Sequence, residues 1–122
     1  YKYNKFFKRY SQIDNNNMKL KKRNLFEDIH LANKIGIGEI ILNSTSRDGT
    51  LSGLDIQILK NISDEITVPL LLKGGCKDLI DAKKAIKFGA SGIMGGACFI
   101  YHGKYKAVML KYPSEKEIDL LN

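Results

Sequence analysis

Hydrophobic and polar positions fall into two alternating kinds of run. Short apolar stretches cover residues 39–42, 68–72 and 92–94, and each closes on small or turn-forming residues: Asn43-Ser44-Thr45-Ser46-Arg47-Asp48-Gly49-Thr50, Lys73-Gly74-Gly75 and Gly95-Gly96-Ala97. Continuous apolar runs predict strands buried on both faces of a parallel sheet or barrel. Between them the period changes. Leu25, Ile29, Ala32 and Gly36 follow helical spacing, with Asn24 placed as N-cap and Gly36 as the stop. Ile58, Leu59, Ile62 and Ile66 mark a second helix over 55–66, and Leu79, Ala82, Ala85 and Ile86 a third that Gly89 ends. Strand starts near 39, 68 and 92 have the separations of βα units with short loops. Pro69 suits the beginning of its strand, because it has no amide to give to a ladder. After 94 the pattern is mixed until Ser114-Glu115-Lys116-Glu117, a capping box that opens a last helix.

Residues 1–23 have no clean period. Alternation over Tyr1-Lys2-Tyr3-Asn4-Lys5-Phe6 allows a short strand, and Asp14-Asn15-Asn16-Asn17 reads as a turn. The organisation expected is a basic polar loop segment over 1–23 followed by one α/β domain over 24–122. Charge sharpens that division. The formal net charge is +7, and residues 1–23 carry all of it, with eight Lys or Arg against the single acid Asp14. Interleaved Tyr1, Tyr3, Phe6, Phe7 and Tyr10 give the composition of a single-strand nucleic-acid binder. No RNA-binding motif accompanies it, and a solvated Lys- and Asn-rich surface accounts for it without a ligand. Nucleic acid is therefore not an expected partner.

Composition excludes other classes. At 122 residues with 43% apolar side chains there is room for one modest core, and no apolar stretch has the length of a membrane span. Cys76 and Cys98 lack CxxC spacing, so they read as reduced thiols of a cytoplasmic protein, with no zinc site and no disulfide frame. There is no apolar signal-peptide core, and an initial Tyr in place of Met suggests a chain that begins inside a longer gene product.

The candidate chemistry lies where the strands end. After a parallel strand, exposed amides, a carboxylate and a hydroxyl can converge on one ligand, as Arg47-Asp48-Gly49-Thr50 would allow, and Gly49 permits a tight turn. The same tetrapeptide is also an ordinary Asp-Gly turn. Gly74-Gly75 and Gly96-Ala97 close consecutive strands; in a barrel such loops expose amide donors to a phosphate. Glycine pairs also arise from tight packing of neighbouring strands, and both readings stay open on the residues alone. His30 reads as a helix-surface residue and His102 as a loop residue. Neither has a metal-ligand partner, and no cofactor fingerprint is present.

Taken in order, Gly38 through Asp55, including Ser46-Arg47-Asp48-Gly49-Thr50, resembles the sixth-strand segment of the cyclase subunit of imidazole glycerol phosphate synthase, the HisF family. Pro69 to Gly75 resembles the seventh strand of that family, and Phe88 through Phe99 the eighth. The resemblance runs from about residue 24 to 105. It implies the C-terminal portion of a (βα)8 (TIM) barrel, about strands six to eight with flanking helices. It further implies an ammonia-dependent cyclase and lyase of histidine biosynthesis, acting on a phosphorylated ribulosyl substrate, with ammonia supplied by a glutaminase subunit. One substrate phosphate would be held at positions matching Asp48, Gly49, Gly74, Gly75, Gly96 and Ala97. The family's two catalytic aspartates belong to strands one and five, outside this chain, so no catalytic residue, metal or cofactor is assigned, and the chain alone is expected to be inactive. Ser46 replaces a usual Asp, Ala97 a frequent serine and Lys73 a serine. Losing a hydroxyl to a charged phosphate at 97 costs about 1–3 kcal/mol. These departures leave open a paralogue in surface-sugar amidation, or a non-catalytic phosphate-binding half-barrel that self-associates.

Overall fold

Asn24 ends one strand and begins the first helix. In the computed structural model, which describes residues 1–4, 9–13, 20–62 and 64–121 (backbone alone for 2–4, 9–13 and 20–23), its side chain accepts the Phe26 amide at 3.3 Å. Helix α1 (Leu25–Ile35) starts from that cap, carries Glu27 and Asp28 in its first turn, and stops at Gly36 with φ +75°. The acids suit the positive helix start, and the left-handed glycine returns amide hydrogens to the last carbonyls. Both ends fall where the pattern of residues put them.

The N-terminal segment holds more regular structure than a polar loop. Strands β1 (Lys2–Asn4), β2 (Arg9–Ile13) and β3 (Leu20–Asn24) form an antiparallel sheet in that order. The alternation over 1–6 corresponds to β1; the turn expected over 14–17 lies outside the described residues.

The second sheet is the one that matters for the site. Strands β4 (Ile40–Asn43), β5 (Leu70–Lys73) and β6 (Gly92–Met94) are neighbours in that order, and both pairs are parallel. Helices α2 (Ile56–Ile62) and α3 (Leu79–Lys87) make the crossovers that parallel pairing needs. The α2 helix is shorter than the expected 55–66, because Glu65 turns back to bond the Ile62 carbonyl at 3.0 Å. β5 starts after Pro69, whose carbonyl accepts the Ile40 amide at 2.9 Å.

Side chains of Ile40, Leu42, Leu70 and Leu72 point to one face, where they pack with Ile58, Leu59 and Ile62 of α2, all three fully buried, and with Ala85 of α3 and Leu25 and Ile29 of α1. This is the core. The other face departs from the expectation of burial on both sides: Ile41 is 50% exposed and Leu71 half-buried. Leu71 folds over its neighbour on β6, so a Cβ built on Gly92 would lie 2.6 Å from its Cδ2. At the outer edge of β4, Tyr1 donates to the Asn43 carbonyl at 2.6 Å and its own carbonyl accepts the Thr45 amide at 3.1 Å.

Beyond β6 a 3₁₀ turn (Ala97–Phe99) leads into a hairpin of β7 (Tyr101–His102) and β8 (Ala107–Val108), which the mixed pattern there did not disclose. Helix α4 (Glu115–Asp119) follows, and both bonds of its capping box between Ser114 and Glu117 are made.

Candidate functional site

The parallel register brings the ends of β4, β5 and β6 level, since Asn43 pairs with Lys73 and Lys73 with Met94. The three following loops therefore leave the sheet at one end. Asp48, Gly49, Gly74, Gly75, Gly96 and Ala97 all line a single cavity of about 100 Å³ there, together with Lys73. These six converge, whereas Arg47 and Thr50 of the same turn do not line the cavity.

Local backbone chemistry fixes each loop. After β4 the buried Ser44 carbonyl accepts the Arg47 and Asp48 amides, both at 3.0 Å, and Thr50 bonds back to the Arg47 carbonyl through its amide and its hydroxyl. Gly49 completes this tight turn at φ +75°. Arg47 points inward, where Nη1 donates to the Gly53 carbonyl at 3.1 Å. The second loop is held by close approach. Gly74 (φ +98°) passes so near β4 that a Cβ would lie 2.5 Å from the Ser44 oxygen, and one on Gly75 (φ +88°) would lie 2.5 Å from the Gly53 oxygen. Tight packing therefore explains this glycine pair, and it also sets the amides beside the cavity. Gly96 differs, with no atom within 4 Å of a built Cβ.

Hydrogen-bond accounting separates the residues by role. Among the described residues, the amide N–H groups of Gly49, Gly74, Gly75, Gly96 and Ala97 meet no acceptor. Gly74 and Gly75 are buried, where amides are almost always paired, while Gly49 and Gly96 are exposed and Ala97 half-buried; all five belong to residues that line the one small cavity. Asp48 contributes no free amide, because Ser44 takes it, and its carboxylate sits 3.6 Å from Lys73 Nζ and 3.5 Å from Asn43 Nδ2. The direction of the Lys73 side chain, which spacing alone did not disclose, is toward that carboxylate.

A larger cavity of about 740 Å³ lies between α3, β6 and the C-terminal segment, walled mainly by apolar side chains such as Ile80, Ile93, Phe99 and Tyr112. Lys77, Asp78, His102, Lys111 and Glu117 also line it. Cys76 and Cys98 lie at its wall as free thiols. Burial, then the hydrogen-bonded Cys98 thiol and the Asp81 and Asp78 carboxylates, push the Cys76 pKa up to about 12. His30 is exposed on α1, while His102 belongs to β7 and not to a loop, with Nε2 3.4 Å from the Phe99 oxygen. Among the described residues no three His, Cys, Asp or Glu side chains converge as a metal site, and no helix is long and apolar enough to cross a membrane.

Sequence reasoning missed Asp81. Its carboxylate accepts the Leu54 amide at 2.8 Å and the Lys77 amide at 3.3 Å, binding the loops after β4 and β5 to α3. The available signal was Asp78-Leu79-Ile80-Asp81, a cap residue followed three positions later by a second acid.

Comparison with known proteins bears on the family of the chain. The family model described as "Histidine biosynthesis protein" matches residues 9–106. A Leptospira interrogans protein provisionally named imidazole glycerol phosphate synthase subunit HisF is 39% identical over 89 residues, 72% of this chain and 35% of its own length. A Leptospira borgpetersenii protein with the same provisional name is 35% identical across 93% of this chain and 45% of its own. A Pseudomonas aeruginosa protein provisionally named as subunit hisF2 of that synthase is 33% identical, covering 94% and 46%. The chain spans less than half the length of these relatives. With the parallel sheet and its loop cavity, the match places the chain in the histidine biosynthesis protein family, as a HisF-like member.

Proposed function

We propose that this chain is the C-terminal portion of a HisF-like (βα)8 barrel, with β4, β5 and β6 as strands six, seven and eight, and that its loop cavity holds a substrate phosphate. The observation that carries the reading is the set of unpaired amides of Gly49, Gly74, Gly75, Gly96 and Ala97 around one small cavity. Main-chain donors fixed by strand register bind a phosphate without reorganising, whereas mobile surface lysines must be ordered and are screened by salt. Asp48 serves the pocket through Lys73 and not as a donor.

The parent reaction is ammonia-dependent cyclisation with lyase chemistry in cytoplasmic histidine biosynthesis, on a phosphorylated ribulosyl substrate, with a glutaminase subunit supplying the ammonia. The relatives' names as subunits of imidazole glycerol phosphate synthase support this assignment. Asp48 is the carboxylate lining the cavity, and a general acid–base pair, commonly worth about 10²–10⁴-fold, needs a second group flanking the substrate.

Titrating glycerol phosphate into isotope-labelled protein tests the pocket. Amide shifts should concentrate at Gly49, Gly75, Gly96 and Ala97. Larger shifts among residues 1–23, or none at the loops, would overturn the reading.

A further inference from the structure

Lys73 lies in the phosphate pocket, yet neither the amide cluster nor the resemblance accounts for it, since the family has serine there. It ends β5 on the sheet face that also carries Asn43 and Met94, and its ammonium reaches across the cavity to Asp48 Oδ2 at 3.6 Å. Both partners are nearly half exposed, 41% and 46%. An exposed pair of this kind contributes little to stability, so exchanging one anionic partner for another is cheap. The cavity, at about 100 Å³, has the room of about three waters, the scale of one phosphate group.

We infer that Lys73 is a specificity-determining residue that makes the pocket charge-selective, moving from Asp48 to the bound group and favouring a phosphate monoester dianion over a monoanion. The inference rests on the phosphate reading above. Amide dipoles carry only partial charge and accept either form, whereas an ammonium gains a charge-assisted bond that strengthens with the second negative charge. Asp48 acts as a stand-in anion: it keeps the lysine at the mouth in the empty pocket and repels a singly charged ligand that cannot displace it. The charged and titratable side chains lining the cavity are Asp48, Lys73 and Cys76. Cys76 keeps its proton well above neutral pH, so the ligand's own second ionisation, near pKa about 6 for a monoester, dominates between about pH 5 and pH 8.

Methyl phosphate and dimethyl phosphate are the probes, titrated against wild type, Lys73→Ser and Lys73→Arg with loop amide shifts as readout and circular dichroism as the fold check. Wild type should bind methyl phosphate at least tenfold more tightly at about pH 8 than at about pH 5, and more tightly than the diester. Lys73→Ser should lose about tenfold for the monoester at the higher pH and flatten its pH profile, while Lys73→Arg retains both. Equal affinity and an unchanged profile in Lys73→Ser would overturn the lysine assignment and leave the amide pocket standing. Absence of loop shifts in wild type would instead overturn the pocket itself.

Discussion

Asp81 ties down Leu54 across 27 residues of chain: its Oδ2 accepts the Leu54 amide at 2.8 Å, and Leu54 is only 5% exposed. Removing the carboxylate strands a buried donor. Asp81→Ala should therefore lower unfolding stability by about 1–3 kcal/mol, and Asp81→Asn, which keeps an acceptor oxygen, by less. Urea denaturation decides this, with a shifted midpoint at unchanged slope expected.

Gly75 and Gly96 should respond oppositely to alanine. At Gly75 a methyl meets the Gly53 oxygen at 2.5 Å in a left-handed backbone, whose penalty alone is about 1–2 kcal/mol. Gly75→Ala is expected to melt several degrees lower and to lose phosphate binding. Gly96→Ala faces open space at φ −133°, so both melting and binding should stay close to wild type. A large drop in melting temperature for Gly96→Ala would contradict the loop geometry.

Cys76 gives the protein an alkaline liability. From the ordinary thiol value of 9.0 up to about 12, the unfolded chain has released this proton while the folded chain still holds it. Stability contributed by the protonated thiol is whole below that window and falls as pH rises through it. Alkylation timed by peptide mass should label half-buried Cys98 first at about pH 8, with Cys76 reacting slowly until the pH nears its raised value or the chain unfolds. Rapid labelling of Cys76 at neutral pH would refute this.

Ile41 is expected to limit the solubility of the isolated chain. It stands half exposed on the sheet face opposite the core, beside Leu71. An open apolar face drives association. Sedimentation of the isolated chain should show concentration-dependent dimers or larger species, and Ile41→Lys should shift the distribution toward monomer. A wild-type monomer at every concentration would rule this out.

Legibility of the chain followed the physics of each element. The first two parallel strands were readable because branched and leucine side chains run without interruption through 40–42 and 70–72, and the third from Ile93-Met94 between glycines. Helix α1 was readable at both ends, since Asn24 and Gly36 have local reasons to cap. What periodicity hides is the partner. Ile41 and Leu42 look equally apolar in sequence, and only the placement of the helices decides that one is exposed and the other buried. The strands within 1–24 were obscured by their lysines, asparagines and mixed period, and β7 and β8 are only two residues each. The site loops were legible as punctuation, but which amides lack acceptors depends on Ser44 taking Asp48, a contact between loop residues that pattern does not encode.

The unpaired donors around the cavity belong to the main chain, and that has a consequence for how the protein can change over generations. Nineteen of the twenty amino acids present the same N–H, so positions such as Gly96 and Ala97 can drift in identity without surrendering the proposed contact to an anion. Proline alone deletes the donor. In the proposed phosphate pocket, a receptor written in peptide bonds would record its ligand in the path of the chain and leave the neighbouring side chains, Lys73 among them, free to experiment with what kind of anion is preferred.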